Sequence, residues 1–149
     1  LILNALESLR KEGFEFDLIL VEGVSHEEAC RQYKFIDVLV DQLFAGWYGG
    51  LAVEAMALGK PVLVYIREDD LHFIPSEMRE ELPFIRVTPD NIKEGLKKVL
   101  GMPREELLSV AKASRAFVEK WHDPVRIVSE IKGDYTNALR KRGKTLCAE

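Results

Sequence analysis

The sequence has 149 residues, a length that supports one ordinary domain with its own hydrophobic core. Hydrophobic residues make up 47% and charged residues 31%, which is typical of a globular protein, and a formal net charge of -4 argues against general nucleic-acid binding. Neither Cys30 nor Cys147 has a second cysteine nearby, so we predict no disulfide framework and expect a cytoplasmic location. The sequence begins at Leu1 in a helical pattern, and we expect it to be part of a longer protein.

The first half of the chain alternates helical and strand patterns. Apolar residues at helical spacing predict a helix that stops at Gly13, and the run "FDLILVEG" from Phe16 predicts a buried strand. Ser25 and Glu28 have the spacing of a capping box, which predicts a helix through about Tyr33. The segment "IDVLVDQL" predicts a second strand.

In the second half, a glycine loop precedes a predicted helix from about Gly50 to Leu58, and Gly59 closes that helix. The sequence then predicts a strand over 61–66, a charged loop with one helical turn over 67–83, and the short strand "FIRVT". The remaining predicted helices begin at Thr88-Pro89, Pro103 and Pro124 and end near Leu100, Trp121 and Arg142.

Strands that alternate with helices predict an α/β, Rossmann-like three-layer domain with a mostly parallel sheet. We treat 1–149 as a single domain in which 122–149 form a terminal helix and tail. In such sheets, ligands bind beyond the carboxyl ends of the strands, and the glycine loop follows a strand at that edge.

The glycine loop, "GWYGG" at 46–50, is a candidate anion site. Gly49, Gly50 and the amide of Leu51 are candidate phosphate donors, because a helix N-terminus has unpaired N–H groups and partial positive charge. The loop matches neither a Walker motif nor GxGxxG, and without further context a plain strand-to-helix turn is the favoured interpretation.

Glu54 lies one turn into the helix that follows this loop, among the apolar residues Val53, Ala55 and Met56. A carboxylate in this position can accept two hydrogen bonds from a vicinal diol such as ribose. The alternative is a surface glutamate that suits the helix dipole.

The stretch "GWYGGLAVEAMALGKPVL" resembles the donor-binding motif of group 1 glycosyltransferases with the GT-B fold, roughly E-G-F-G-x-x-x-x-E-A-M-A-x-G-x-P-V. Gly49 matches the second glycine of the motif and Glu54 matches its second glutamate. The segments "VEGVSHEEACRQYKFIDVLVDQ" and "FVEKWHDP" are similar to flanking parts of the family, so the resemblance covers about 17–135.

The resemblance implies one half of a two-domain enzyme whose active site lies in the cleft between Rossmann-like domains. This half would bind a nucleoside diphosphate sugar, with Glu54 on the ribose hydroxyls and the loop glycines, Gly46 included, facing the diphosphate and sugar. The strand end at Gly23 and Val24 would lie near the base. The expected reaction is sugar transfer to an acceptor, with no cofactor and no metal.

Two features depart from the family motif. Gly46 stands where the motif has its first glutamate, and Trp47 replaces the next glycine. The resemblance also places the diphosphate-neutralising cations, the first strand and the acceptor domain before Leu1. We therefore expect a fragment that needs this amino-terminal domain as its partner and is inactive alone. No catalytic residue is assigned. A non-catalytic nucleotide-sugar-binding module and a flavodoxin-like interaction domain remain alternatives.

Several residues near the loop have two interpretations. Asp41 and Gln42 are candidates for sugar or acceptor contact or for capping of the following turn. Of Trp47 and Tyr48, we expect one to pack on the sheet and the other to face the cleft, where it would stack on a sugar. His26 is a candidate for phosphate or base contact or a partly exposed helix-start residue.

The remaining polar groups carry weaker signals. His26, His72 and His122 lack metal-ligand spacing, so no zinc site is predicted. The acidic run 68–70 is typical of a solvated loop that borders the cleft. The basic tail 140–144 fits peripheral contact with anionic lipid or a solvated chain end.

Overall fold

The sheet consists of three short parallel strands in the part of the chain that the computed structural model describes, residues 1–142. The strands are β1 (Leu39–Val40), β2 (Val62–Val64) and β3 (Ile85–Arg86), and β2 lies between the other two. Leu39 is in register with Val62, and Leu63 is in register with Ile85. The predicted α/β class with a parallel sheet is therefore confirmed.

Helices precede, connect and follow the strands. They are α1 (Ile2–Lys11), α2 (His26–Gln32), α3 (Gly50–Ala57), α4 (Ser76–Glu80), α5 (Ile92–Leu100), α6 (Arg104–Trp121) and α7 (Pro124–Lys141), with a 3-10 helix over Glu68–Phe73. The segment predicted as a charged loop with one helical turn thus contains both the 3-10 helix and α4.

The strand β2 is the centre of the core, because all three of its residues are fully buried. Its successive side chains point to opposite faces of the sheet and belong to two apolar clusters. Val62 and Val64 pack with residues of α3 and α6, while Leu63 packs with residues of α1 and α5. The helix pairs α3 and α6, and α1 and α5, contact each other directly. This arrangement is consistent with a Rossmann-like fold.

Local signals at the start of α2 and at the end of α3 are confirmed, except for one half of the predicted capping box. The Ser25 hydroxyl accepts a hydrogen bond from the Glu28 amide at 3.2 Å, as a capping box requires. The reciprocal half does not form, because the Glu28 carboxylate accepts hydrogen bonds from Arg31 at 2.8 Å and Gln32 at 3.0 Å. The end of α3 is as predicted, with Gly59 at a φ of +68°.

The predicted strand at "FDLILVEG" is wrong. Residues 14–22 have no assigned helix or strand, and Leu18, Ile19 and Leu20 are 42%, 38% and 58% exposed. A strand exists only where a neighbouring backbone completes its ladder, and β1, β2 and β3 pair only with one another among the described residues. Apolar residues with a preference for strands are therefore not sufficient to make this segment a strand.

The predicted start of α5 is also wrong by a few residues. Thr88 and Asn91 exchange hydrogen bonds, from the Thr88 amide to Asn91 Oδ1 at 2.7 Å and from the Asn91 amide to Thr88 Oγ1 at 3.2 Å. This turn precedes the helix, whose N-cap is Asn91. Short polar side chains competed here with the backbone for helix hydrogen bonds.

The helix α7 has no buried residue, and Val125, Val128 and Tyr135 are 77%, 63% and 67% exposed. Among residues 1–142, no helix is both long enough and apolar enough to span a bilayer. The basic tail lies partly, and Cys147 wholly, outside the described residues.

Close packing of α5 on β3 yields a stability prediction. A Cβ at Gly95 would collide with Val87 Cγ1, whereas a Cβ at Gly133 in α7 would meet nothing within 4 Å. We expect Gly95→Ala to destabilise the protein by about 1–3 kcal/mol, because the β-branched valine has little room to move. Gly133→Ala, the matched control, should stabilise it by roughly 0.5–1 kcal/mol. Urea unfolding measures both changes, and equal effects would contradict the packing argument.

Candidate functional site

Asp41 and Gln42, the two residues that follow β1, hold the glycine loop in place through hydrogen bonds. The Gly49 amide donates to Asp41 Oδ2 at 3.0 Å, and the Gln42 side-chain amide donates to the Trp47 carbonyl at 2.9 Å. Asp41 is only 9% exposed. Of the two interpretations for Asp41 and Gln42, these bonds correspond to capping of the turn.

Gly46 is required by backbone conformation and by a close neighbour. Its φ of +79° lies in the left-handed region that favours glycine. Its carbonyl accepts from the Arg67 amide at 2.8 Å, and a Cβ here would lie 3.1 Å from Arg67 Cβ. A glutamate at this position would therefore need both a strained backbone and a displaced Arg67 side chain.

Tyr48 is the member of the aromatic pair that packs into the core. It is 7% exposed, its ring centroid lies 4.6 Å from that of Phe84, and its hydroxyl lies 2.9 Å from His122 Nε2. Burial raises the pKa of Tyr48 to about 12. Trp47 is half-buried against Tyr48, with ring centroids 4.8 Å apart. Tyr48 thus anchors the loop, and its hydroxyl is already bonded.

The helix α3 begins directly after this anchored loop. Gly49 is its N-cap, and no side chain caps its first turn. The amides of Gly50 and Leu51 have no carbonyl acceptor within the helix, so they need partners from outside it. A Cβ at Gly50 would meet nothing within 4 Å, which shows that the described chain leaves this end of the helix open.

Glu54 is the one acidic residue of α3, a helix whose inner face is buried. Ala52, Ala55 and Met56 are fully buried, but the Glu54 side chain is 41% exposed. His26, whose side chain is 74% exposed, donates from Nε2 to Glu54 Oε1 at 2.9 Å. The structure therefore brings two sequence-predicted site residues into contact.

Cys30 joins this pair, a partner that the sequence interpretation missed. Its sulfur lies 3.5 Å from His26 Nε2. The pKa of Tyr33 is raised by burial first, and then by the charges of Glu54 and Cys30. The helical i, i+4 spacing of His26 and Cys30 was a usable signal, whereas the approach of Glu54 depends on tertiary packing.

Gly23 and Val24 lie in the exposed loop before α2. Gly23 has a φ of +66°, and Val24 is 49% exposed. They directly precede Ser25 and His26 in the chain, so they border the same surface as Glu54.

Two arginines lie at the carboxyl ends of neighbouring strands, and the sequence analysis did not predict them as site residues. Arg67 follows β2 and Arg86 ends β3, and both line a cavity of about 450 Å³. Arg67 donates to Asp70 at 3.2 Å and Arg86 donates to Glu68 at 2.7 Å. The acidic run 68–70 is thus partly neutralised at the carboxyl edge of the sheet.

A second cavity, of about 590 Å³, lies between the start of α1 and the segment after β1. It is lined mainly by apolar side chains from Leu1, Leu3, Leu43 and Phe44. Glu54 lines neither of these two cavities, and its side chain is 41% exposed.

Comparisons with protein-family models, with curated proteins and with solved structures found no match. The resemblance to glycosyltransferases therefore rests on the sequence motif alone.

The pair Tyr48 and His122 predicts a pH dependence of stability. Burial, and then the charge of Arg126, lower the pKa of His122 below its ordinary value. The unfolded chain thus binds a proton more readily than the folded one. We expect the free energy of unfolding to be highest above about pH 6.5 and to fall as the pH drops below that value.

Urea unfolding between pH 5 and 8 measures this dependence, and His122→Gln should flatten the profile over this range. The exposed His72 provides the matched control, because His72→Gln removes an imidazole outside the core. A profile that flattens equally in both variants would contradict the assignment.

Proposed function

We propose that this chain is the donor-binding domain of a GT-B glycosyltransferase. It binds a nucleoside diphosphate sugar, and the complete enzyme transfers the sugar to an acceptor. The observation that carries the proposal is Glu54, an exposed carboxylate on a helix whose inner face is buried, beside an anchored glycine loop and an uncapped helix N-terminus. These features coincide with the motif that the sequence shares with that family.

The diphosphate would bind at the start of α3. The Gly50 and Leu51 amides point out of the first turn, where the helix dipole favours an anion. Because Gly50 lacks a side chain, a phosphate can approach the backbone closely. Arg67 contacts the other end of the loop, and its guanidinium is paired with Asp70 at 3.2 Å.

The ribose would bind at Glu54. Side chains in a helix lean toward its N-terminus, so Glu54 lies over Gly50, four residues earlier. The hydrogen bond from His26 occupies Oε1 and orients the carboxylate, and Oε2 remains an acceptor for a hydroxyl. The proposed diol position at Glu54 and the proposed diphosphate position at the start of α3 are separated by one turn of helix. This separation suits the ribose and the diphosphate of one nucleotide.

Exposed apolar surfaces support the proposed partner domain. We infer that the domain is the three-layer half of a GT-B fold and that an acceptor domain of the same protein covers such surfaces. Leu18 and Leu20 in the unpaired segment, and Val125 and Val128 on α7, are between 42% and 77% exposed. These exposed apolar side chains are available to an interface with a second domain.

Gly46 favours a second candidate, a non-catalytic nucleotide-sugar-binding module. The family motif has a glutamate at this position, but here a glutamate would strain the left-handed backbone and displace the Arg67 side chain. The donor would then be bound without transfer. Release of labelled sugar from a nucleoside diphosphate sugar by the complete protein, with its acceptor domain present, separates the two candidates, because the module leaves the donor intact there as well.

Binding of ribonucleotides and deoxyribonucleotides tests the proposed donor site. Calorimetry with uridine, guanosine and adenosine diphosphates in EDTA first identifies the preferred base. We expect the 2′-deoxy form of that nucleotide to bind about 10–100-fold more weakly, because it lacks one hydrogen bond to a charged carboxylate. Glu54→Ala should bind the two forms equally and at least as weakly as the wild type binds the deoxy form.

Glu94→Ala is the matched control, since Glu94 is an exposed glutamate in the first turn of α5. It should retain the full discrimination against the deoxy form. Absence of binding by any nucleotide would overturn the proposal and favour an interaction domain. Binding without discrimination would remove the ribose role from Glu54.

A further inference from the structure

We propose that His26, Cys30 and Glu54 form a site for a borderline divalent metal ion, with Zn²⁺ as the preferred ion. The imidazole nitrogen, thiol sulfur and carboxylate oxygen of these side chains lie within 4.8 Å of one another. Two different elements supply them, α2 and α3, so the cluster is a product of the tertiary structure.

Two of the three distances between ligand atoms are close to those of tetrahedral coordination. With metal–ligand bonds of roughly 2.0–2.3 Å, neighbouring ligand atoms around Zn²⁺ are about 3.3–3.8 Å apart. His26 Nε2 lies 3.5 Å from Cys30 Sγ, within that range, and 2.9 Å from Glu54 Oε1, slightly below it. A small rotation of the glutamate side chain, which is 41% exposed, opens the second distance.

The donor set selects the class of metal. Mg²⁺ and Ca²⁺ prefer oxygen ligands, whereas one imidazole, one thiolate and one carboxylate suit Zn²⁺. With a neutral imidazole, the thiolate and the carboxylate balance the charge of the ion. Three protein ligands leave one coordination position for water or another molecule, and the 74% exposed His26 side chain gives the ion an open path of entry.

The neighbouring charges do not compete for these ligands. Arg31, the basic residue in the last turn of α2, is bonded to Glu27 and Glu28 on the same helix. Arg31 offsets one of the two negative charges, and both glutamates are held in ion pairs on their own helix. The hydrogen bond between His26 and Glu54 is the arrangement that the metal would replace.

Titration of the metal-free full chain, without an affinity tag or nucleotide, tests the site with Co²⁺ and Zn²⁺ alone. We expect one Co²⁺ per chain, with the ultraviolet band of a thiolate-to-cobalt transition, and displacement of the Co²⁺ by one Zn²⁺. Cys30→Ser should abolish the band. Cys30→Ser, His26→Gln and Glu54→Gln should each weaken Zn²⁺ binding by about 100-fold or more, since loss of a direct ligand exceeds the effect of its supporting groups.

Cys147→Ser and His72→Gln are matched controls, because they remove the second thiol and an imidazole on the 3-10 helix. Both should bind as the wild type does. The proposal is overturned if the wild type binds no stoichiometric metal, if Cys30→Ser retains the band, or if Cys147→Ser loses it. His26→Gln changes an exposed side chain, so it keeps the test decisive should Cys30→Ser fold poorly. Because no nucleotide is present, failure here leaves the proposed donor site untouched.

Discussion

The hydrogen bond from the Gly49 amide to Asp41 is the constraint on which the candidate site depends. Asp41 is tied to the sheet through its own amide, which donates to the Leu63 carbonyl at 2.8 Å. Its carboxylate accepts a hydrogen bond of 3.0 Å from the amide of Gly49, which is the residue immediately before α3. The register of β1 on β2 therefore determines where α3 begins and in which direction its first amides point. A nearly buried carboxylate bonded to a backbone N–H is well suited to this task.

Two side chains hold the rest of the glycine loop. Tyr48 inserts its ring into the core from one side, and Arg67 lies against Gly46 from the other. A loop restrained in this way pays little conformational entropy when a ligand binds, which is the advantage of a preorganised site. The restraint also explains the sequence at position 46, because a left-handed residue beneath an arginine side chain must be small.

Glu54 connects the two proposals made for this surface. Its helix is buried through Ala52, Ala55 and Met56, so the exposed carboxylate is not a solubility feature of a surface helix. Both a ribose diol and a metal ion would use that carboxylate, and His26 would orient it in the first case and share the ion with it in the second. The two uses differ in Cys30, which contributes only to the metal site.

Local patterns in the sequence were sufficient for most helices and for the glycine loop with its following helix. The spacing of apolar residues, the Ser25 cap and the position of Gly59 act within a few residues of the chain, so they can be read without the fold. The same reasoning selected Glu54 and His26 as separate candidates and left open whether Trp47 or Tyr48 packs inside.

The tertiary structure decided what depends on partners distant in the chain. The segment 17–21 has strand composition but no ladder among the described residues, because a strand needs a second backbone. Tyr48 is buried because Phe84, Phe117 and His122 converge on it from later elements. Arg67 reaches Gly46, and Glu54 reaches His26, only after β1 and β2 pair and α3 packs on the sheet. The sequence by itself identified Glu54, His26 and the glycine loop as candidates but missed Cys30, and only the fold decided which of these groups meet, because contacts between elements follow from packing.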